Sequence, residues 1–516
     1  MLAKQKPIRV RLLFFAVALI LATSSALPVA AQSPEPVILD PNLAVRTVVS
    51  GLVTPTTMAF LGPEELLVLE KNTGKVQYVN AGVIDHTALD LAVNFASERG
   101  LLGIALDPDF ANNQYVYLYW TCMAAPPPAD NPYFPTATEC TTPPELGADT
   151  NNILAVPLLG NQVGRFVWDG SSLTFDSIVV RLRAFQHDGA PLPPNQGDSA
   201  QGPAGNHDGG VITFGPDGKL YVIIGDNGRR GALQNLPDGP LGDGSPDDQF
   251  GGPDPDNAHL TGVILRLNGD GTAPTDNPFF ATGAAMGGEV GANIQKIFAY
   301  GMRNSFGMAF DPKSGQLWVQ LNGDDTFDEL NRVEPGYNSG WIQLMGPAER
   351  VGEFKSIEST LGNQLLQQRR WPPANIADTS EEALSRLFQL PGSHYRDPEF
   401  SWRYAVAPAG IGFMDGRGLG PNYEGDLFVG ASRPTLSNGY LFHFNLTGNR
   451  RKIGVDDPAL DDRVADNFAK FDITESESLL IGTDFGVVTD IRTSLDGTLY
   501  AVSLSNGAVY EIYRVK

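Results

Sequence analysis

GNHDGGVITFGPDGKLYVIIGDNGRR, residues 205–230, is the stretch that decides both the fold and the site. Apolar residues lead through Val211 to Phe214, and Gly215-Pro216-Asp217-Gly218 is a turn. Lys219–Ile224 then runs as a second strand and ends at Gly225-Asp226. Two short strands around such a turn read as a β-hairpin. A hairpin returns its chain, so His207 before the first strand and Asp226 after the second come side by side. A carboxylate beside an imidazole is the arrangement that orients a general base. Taken alone, His207 reads more readily as one ordinary loop histidine among six than as a base.

The same turn followed by an alternating strand recurs along the chain. It stands at Phe60–Leu69, Leu106–Trp120, Phe214–Asp226, Phe310–Asp324, Tyr423–Ser432 and Ser494–Val515. Repeats of one antiparallel unit, unevenly spaced by inserted loops, predict an all-β, six-bladed β-propeller. A sheet in such a fold cannot bury both faces alone, and radial stacking of blades solves this. A β-sandwich or barrel array is the competing architecture, but the repeats spread over too much chain for one sandwich.

With 42% hydrophobic residues, 57 Gly and 39 Pro in 516 residues, there is ample core and a bias toward turns. The net charge of −23 argues against nucleic acid or an anionic membrane as partner. Lys4, Lys6, Arg9 and Arg11, the apolar run Leu12–Ala22 and Val29-Ala30-Ala31 read as a secretory signal peptide over residues 1–31. That leaves residues 32–516 as one propeller domain, secreted or periplasmic, with no later membrane span. In that setting Cys122 and Cys140 are expected to form a disulfide. Three insertions stand out: Pro-rich 122–151, Asp/Gly/Pro-rich 229–259, and 350–390. The second reads as a solvated loop or a further calcium site. The third holds the main helical signal, Ser380–Leu390, with Ser380 as the expected cap.

No nucleotide-binding glycine loop, HExxH or CxxC is present in a usable context. Arg303 in IFAYGMRNSFGMAF serves either as a salt-bridge partner or as the cation for an anionic ligand. Asn322-Gly323-Asp324-Asp325 closes the next strand, where carbonyls and carboxylates suit a hard cation, and Asp328-Glu329 add negative charge.

ERGLLGIALDPDF (98–110), NHDGGVITFGPDGKLYVIIGD (206–226), VILRLNGDGTAPTDNPF (263–279), YGMRNSFGMAFDPKSGQLWVQLNGDD (300–325), DELNRVEPGYNSGW (328–341) and APAGIGFMDG (407–416) together resemble the glucose/sorbosone dehydrogenase family. The resemblance spans about residues 45–515. It implies a six-bladed propeller carrying pyrroloquinoline quinone (PQQ) and calcium, and an enzyme that oxidises an aldose or related sugar hydroxyl at C1. It places His207 on the catalytic base, Asp226 on its supporting carboxylate, and Arg303 and Asn304 beside the reacting quinone carbonyls. Glu98 and Asn322 join the cofactor set. Arg433, in GASRPTLSNG, is the candidate cation for the PQQ carboxylates, ahead of Arg403 and Arg417. The main-chain carbonyls of Gly323 and Asp324 fall on the calcium ligands. With no haem-binding CxxCH, electrons are expected to leave to a separate external acceptor. The alternatives are a non-catalytic propeller that binds a carbohydrate or protein partner, and a calcium-dependent sugar lactonase.

Overall fold

Short runs such as Leu220–Ile224 are apolar at every position because both faces of the strand are buried. Leu220, Val222 and Ile224 pack toward Tyr117, Tyr119 and Val163 of the preceding sheet. Tyr221 and Ile223 pack toward Leu317, Val319 and Leu321 of the following one. This period-two division repeats around the molecule, and each of six main hydrophobic clusters fills the space between two consecutive sheets.

The computed structural model describes residues 35–123, 140, 147, 149–151, 156–157, 159–184, 206–227, 260–360, 376–432 and 438–515. These are all-β, in a β-propeller arrangement of sheets. Their hydrogen bonding gives six sheets, whose first strands are Pro55–Phe60, Leu101–Leu106, Ile212–Phe214, Met308–Phe310, Pro408–Phe413 and Val488–Thr493. Each first strand packs on the next, and Val488–Thr493 packs on Pro55–Phe60. The approach is close: a Cβ on Gly412 would lie 2.1 Å from the Ile491 carbonyl oxygen. Between the first strands runs a cavity of about 530 Å³.

The repeats seen in the sequence each span the turn between the first and second strands of a different sheet. The last sheet is completed from the other end of the chain, because Leu43–Ser50 pairs antiparallel with Ala508–Arg514. The expected hairpin is formed, with Ile212 opposite Val222 and Phe214 opposite Leu220. The Cys122–Cys140 disulfide is formed.

The helix expected at Ser380–Leu390 is shorter, Ser380–Ser385. Thr379 rather than Ser380 caps it, accepting a hydrogen bond from the Glu382 N–H. Phe280–Met286 and Gly288–Ile294 are helices that the sequence did not signal. Their glycines conceal them, yet those glycines let the two pack, since a Cβ on Gly283 would lie 2.3 Å from the Gly291 carbonyl oxygen. No helix among the described residues is long and apolar enough to cross a membrane. The leader 1–31, most of the 122–151 loop and the acidic stretch from Asp238 to Asp256 lie outside the described residues.

Strand Thr326–Val333 is buried along its whole length and carries Glu329. Its carboxyl accepts from Gly346 N (2.6 Å) and Asn331 Nδ2 (2.9 Å). Burial pushes Glu329 up to about 8, against these two hydrogen bonds. Folding therefore takes up a proton there. The stability this contributes is complete below about pH 4.5, its ordinary value, and is lost as pH rises to about 8. Glu329→Gln removes that dependence, so denaturant melts between pH 5 and 8 give a flatter stability profile than the parent chain.

Candidate active site at one end of the central cavity

The loops that enter the first strands meet those that leave the second strands at one end of the cavity. Residues 206–211, 225–227, 301–307, 322–325 and 96–100 belong to this set. His207 stands there at φ +61°, a backbone conformation that β-carbon residues rarely adopt. The Glu98 carboxylate holds it by accepting from the His207 N–H at 2.6 Å. Close packing behind it is possible because residue 225 is glycine: a Cβ there would lie 2.6 Å from the carbonyl oxygens of both His207 and Arg303.

His207 Nδ1 lies 2.6 Å from Asp226 Oδ1, the juxtaposition the hairpin predicts. The Trp341 indole N–H donates to Asp226 Oδ2 at 2.8 Å. Burial pushes Asp226 up, but the His207 ring, Arg303 and Trp341 outweigh it, and the carboxyl stays below the usual carboxylate range. An ionised carboxylate only accepts, so Nδ1 carries a proton, which in the neutral imidazole leaves the lone pair on Nε2. Trp341 was not singled out in the sequence, where nothing ties an indole to a carboxylate 115 residues earlier. Its loop is pinned by Ser339 N to the Tyr300 carbonyl and by Trp341 N to the Gly301 carbonyl.

Arg303 Nη1 donates to the Asn322 carbonyl (2.9 Å) and Nη2 to Asp324 Oδ1 (3.3 Å), and its guanidinium lies 5.5 Å from the Trp341 ring centroid. Asn304 Nδ2 donates to Glu98 Oε2 (3.2 Å), the oxygen that also holds His207. Asn322 N donates to the Asn304 carbonyl (2.9 Å). Gly323 N donates to buried Asp328, whose other oxygen receives the Val406 and Ala407 N–H groups. The structure thus brings Glu98, His207, Asp226, Arg303, Asn304, Asn322, Gly323 and Asp324 into one network. Arg433 lies outside the described residues. Among the buried atoms here, Arg303 Nε, Asn304 Oδ1, Asn322 Oδ1 and Asp324 Oδ2 have no hydrogen-bond partner among the described residues.

Two further charges flank the site. Burial pushes the Lys71 ammonium down to about 8, despite the pull of Asp208 and Glu98, and pushes Asp208 up to about 6, despite Arg99 and a hydrogen bond from Asn161. Lys71 and Glu98 both line the cavity. On the far side, Lys470 donates to the Asp324 carbonyl oxygen (3.0 Å) and to Asp325 Oδ1 (2.8 Å). The carboxylates of Asp324, Asp325 and Glu358 each offer an oxygen within 4.8 Å of the others.

The Glucose / Sorbosone dehydrogenase family profile matches residues 52–132 and 196–360. An uncharacterised protein of Synechocystis is 28% identical over 447 residues, 83% of this chain and 81% of its own length. Quinoprotein glucose dehydrogenase B of Acinetobacter calcoaceticus is 26% identical over 430 residues, 78% of each chain. The solved PQQ-bound aldose sugar dehydrogenase of Streptomyces coelicolor shares the fold, with a TM-score of 0.51 and 22% identity over 91% of this chain and 98% of that one.

Because the added methyl would press on two main-chain carbonyls, Gly225→Ala is expected to destabilise the chain by about 1–3 kcal/mol in denaturant melts. Gly352→Ala, where the new Cβ would meet only the Asp378 carbonyl at 3.8 Å, leaves the midpoint unchanged or slightly raised.

Proposed function

We propose, for a chain that belongs to the glucose/sorbosone dehydrogenase family, the activity of a PQQ-dependent dehydrogenase that oxidises an aldose or related sugar hydroxyl at C1. The observation that carries the reading is the buried His207–Asp226 pair set beside Arg303 and Asn304. The wider reading is a six-bladed propeller over residues 32–516, one blade per sheet. It is exported after cleavage near Ala31 and passes its electrons to a separate acceptor.

The residues present fit PQQ. Partnerless buried atoms on Arg303, Asn304 and Asn322 offer one donor and two acceptors. The cavity of about 530 Å³ is lined by Glu98, whose carboxylate accepts from the His207 N–H, and is of the size that small cofactors fill. Arg303, Asn304, Asn322 and Glu98 would hold the group, with Arg433 as a further cation. When bound, PQQ supplies the quinone that takes the hydride from C1.

The chain's own part is proton handling and orientation. His207 Nε2 takes the hydroxyl proton of the sugar, and Asp226 holds the Nδ1–H and stabilises the imidazolium that forms. Trp341 fixes the second oxygen of Asp226, so the carboxylate cannot rotate away from the ring. Arg303 favours negative charge at the reacting end of the site.

The calcium implied by the resemblance fits less well. Of its two expected carbonyl ligands, that of Asp324 already accepts from Lys470. A calcium-dependent sugar lactonase is the second reading: Asp324, Asp325 and Glu358 converge, but Lys470 already pairs with Asp325 there. It requires lactone turnover with no quinone added.

His207→Ala is expected to lower PQQ-dependent dye reduction with aldoses by about 10²–10⁴-fold, while PQQ still binds in an absorbance titration. Full turnover in this variant overturns the mechanism.

A further inference from the structure

We infer that the Lys470 ammonium fills the cation position at the Asp324–Asp325 turn, so that this chain carries there a side-chain cation in place of a calcium ion. Lys470 Nζ donates to the Asp324 carbonyl at 3.0 Å and to Asp325 Oδ1 at 2.8 Å. These are ammonium hydrogen-bond distances. Calcium draws its oxygens to about 2.3–2.6 Å, so an ion on the Asp324 carbonyl would stand close to the Lys470 ammonium, where the two like charges repel.

The lysine is presented by a built loop. Asn467, fully buried, accepts from Tyr404 N (2.8 Å) and donates to the carbonyls of Tyr404 (2.9 Å) and Asp472 (2.7 Å). Phe471 N donates to the Ala405 carbonyl. The loop is thereby fixed to the end of strand Phe400–Tyr404 on both sides of Lys470. The acceptors are fixed as well, since Asp325 N donates to Glu358 Oε1 (2.9 Å) and Gly323 N to Asp328.

Charge balance points the same way. Asp325 is buried, and a buried carboxylate needs a cation. Lys470 supplies that cation to Asp325 and Arg303 supplies one to Asp324, with the Glu358 carboxylate beside them. Sequence reading missed Lys470 because it stands 146 residues beyond its carbonyl partner.

The inference rests on the reading above only for where a cation belongs. Its test is made on the full chain without PQQ, so the two can fail separately. Calcium binding is counted by equilibrium dialysis for the parent chain, Lys470→Met, Lys470→Arg and Lys470→Met/Asp325→Asn, with thermal melts in parallel. The expected result is one additional calcium equivalent, and a calcium-dependent rise in melting temperature, for Lys470→Met alone. Lys470→Gln repeats the measurement if the Met variant does not fold. Equal calcium counts for the parent and Lys470→Met overturn the inference, as does an equal gain in Lys470→Arg.

Discussion

The structure depends on one constraint: every sheet has two apolar faces, so each must have a neighbour on both sides. A row of such sheets would leave its two outer faces in water. The chain avoids this by packing its sixth first strand, Val488–Thr493, on the first, Pro55–Phe60. Tyr500 and Val502 then meet Met58, Val68 and Val79 in a cluster no different in kind from the others. Glycines such as Gly412 let the first strands approach until only a narrow cavity separates them.

That packing also determines where chemistry can sit. With both faces of each sheet committed to core, polar side chains gather in the loops at the strand ends and along the cavity. The site is a set of charged and polar groups joined by hydrogen bonds, with atoms on Arg303, Asn304, Asn322 and Asp324 left without a partner among the described residues. Glu98 holds the His207 and Asn304 N–H groups, Asp226 is held by His207 and Trp341, and Arg303 bridges the Asn322 carbonyl and Asp324. Removing any one leaves another charge buried without its partner, and the left-handed backbone at His207 persists because its surroundings over-determine it.

Much of this was legible from local pattern. The Gly-Pro-Asp-Gly turn with its flanking strands gave the hairpin, and the hairpin alone placed His207 beside Asp226. The recurring turn marked one strand pair in each sheet. What stayed hidden was long-range or locally ambiguous. Trp341 and Lys470 reach the site from loops whose own sequences show only ordinary loop composition, and Glu358 reaches it from the helix Val351–Thr360. The cap at Thr379 lay one residue from the expected Ser380, where either hydroxyl satisfies the same pattern. The outer strands, such as Val83–Asp90, alternate between partly exposed and exposed positions and lack the turn signature.

Among the described residues the strand Leu43–Ser50 pairs only with Ala508–Arg514, with Leu43 opposite Arg514. On the ribosome, nearly the whole polypeptide must be made before that ladder can form. Until then the early strand keeps unpaired N–H and C=O groups, and the face of the first sheet that meets Tyr500 and Val502 stays wet. Folding therefore finishes late and slowly, as contacts between distant segments require. During that interval the unfinished chain is open to wrong strand partners.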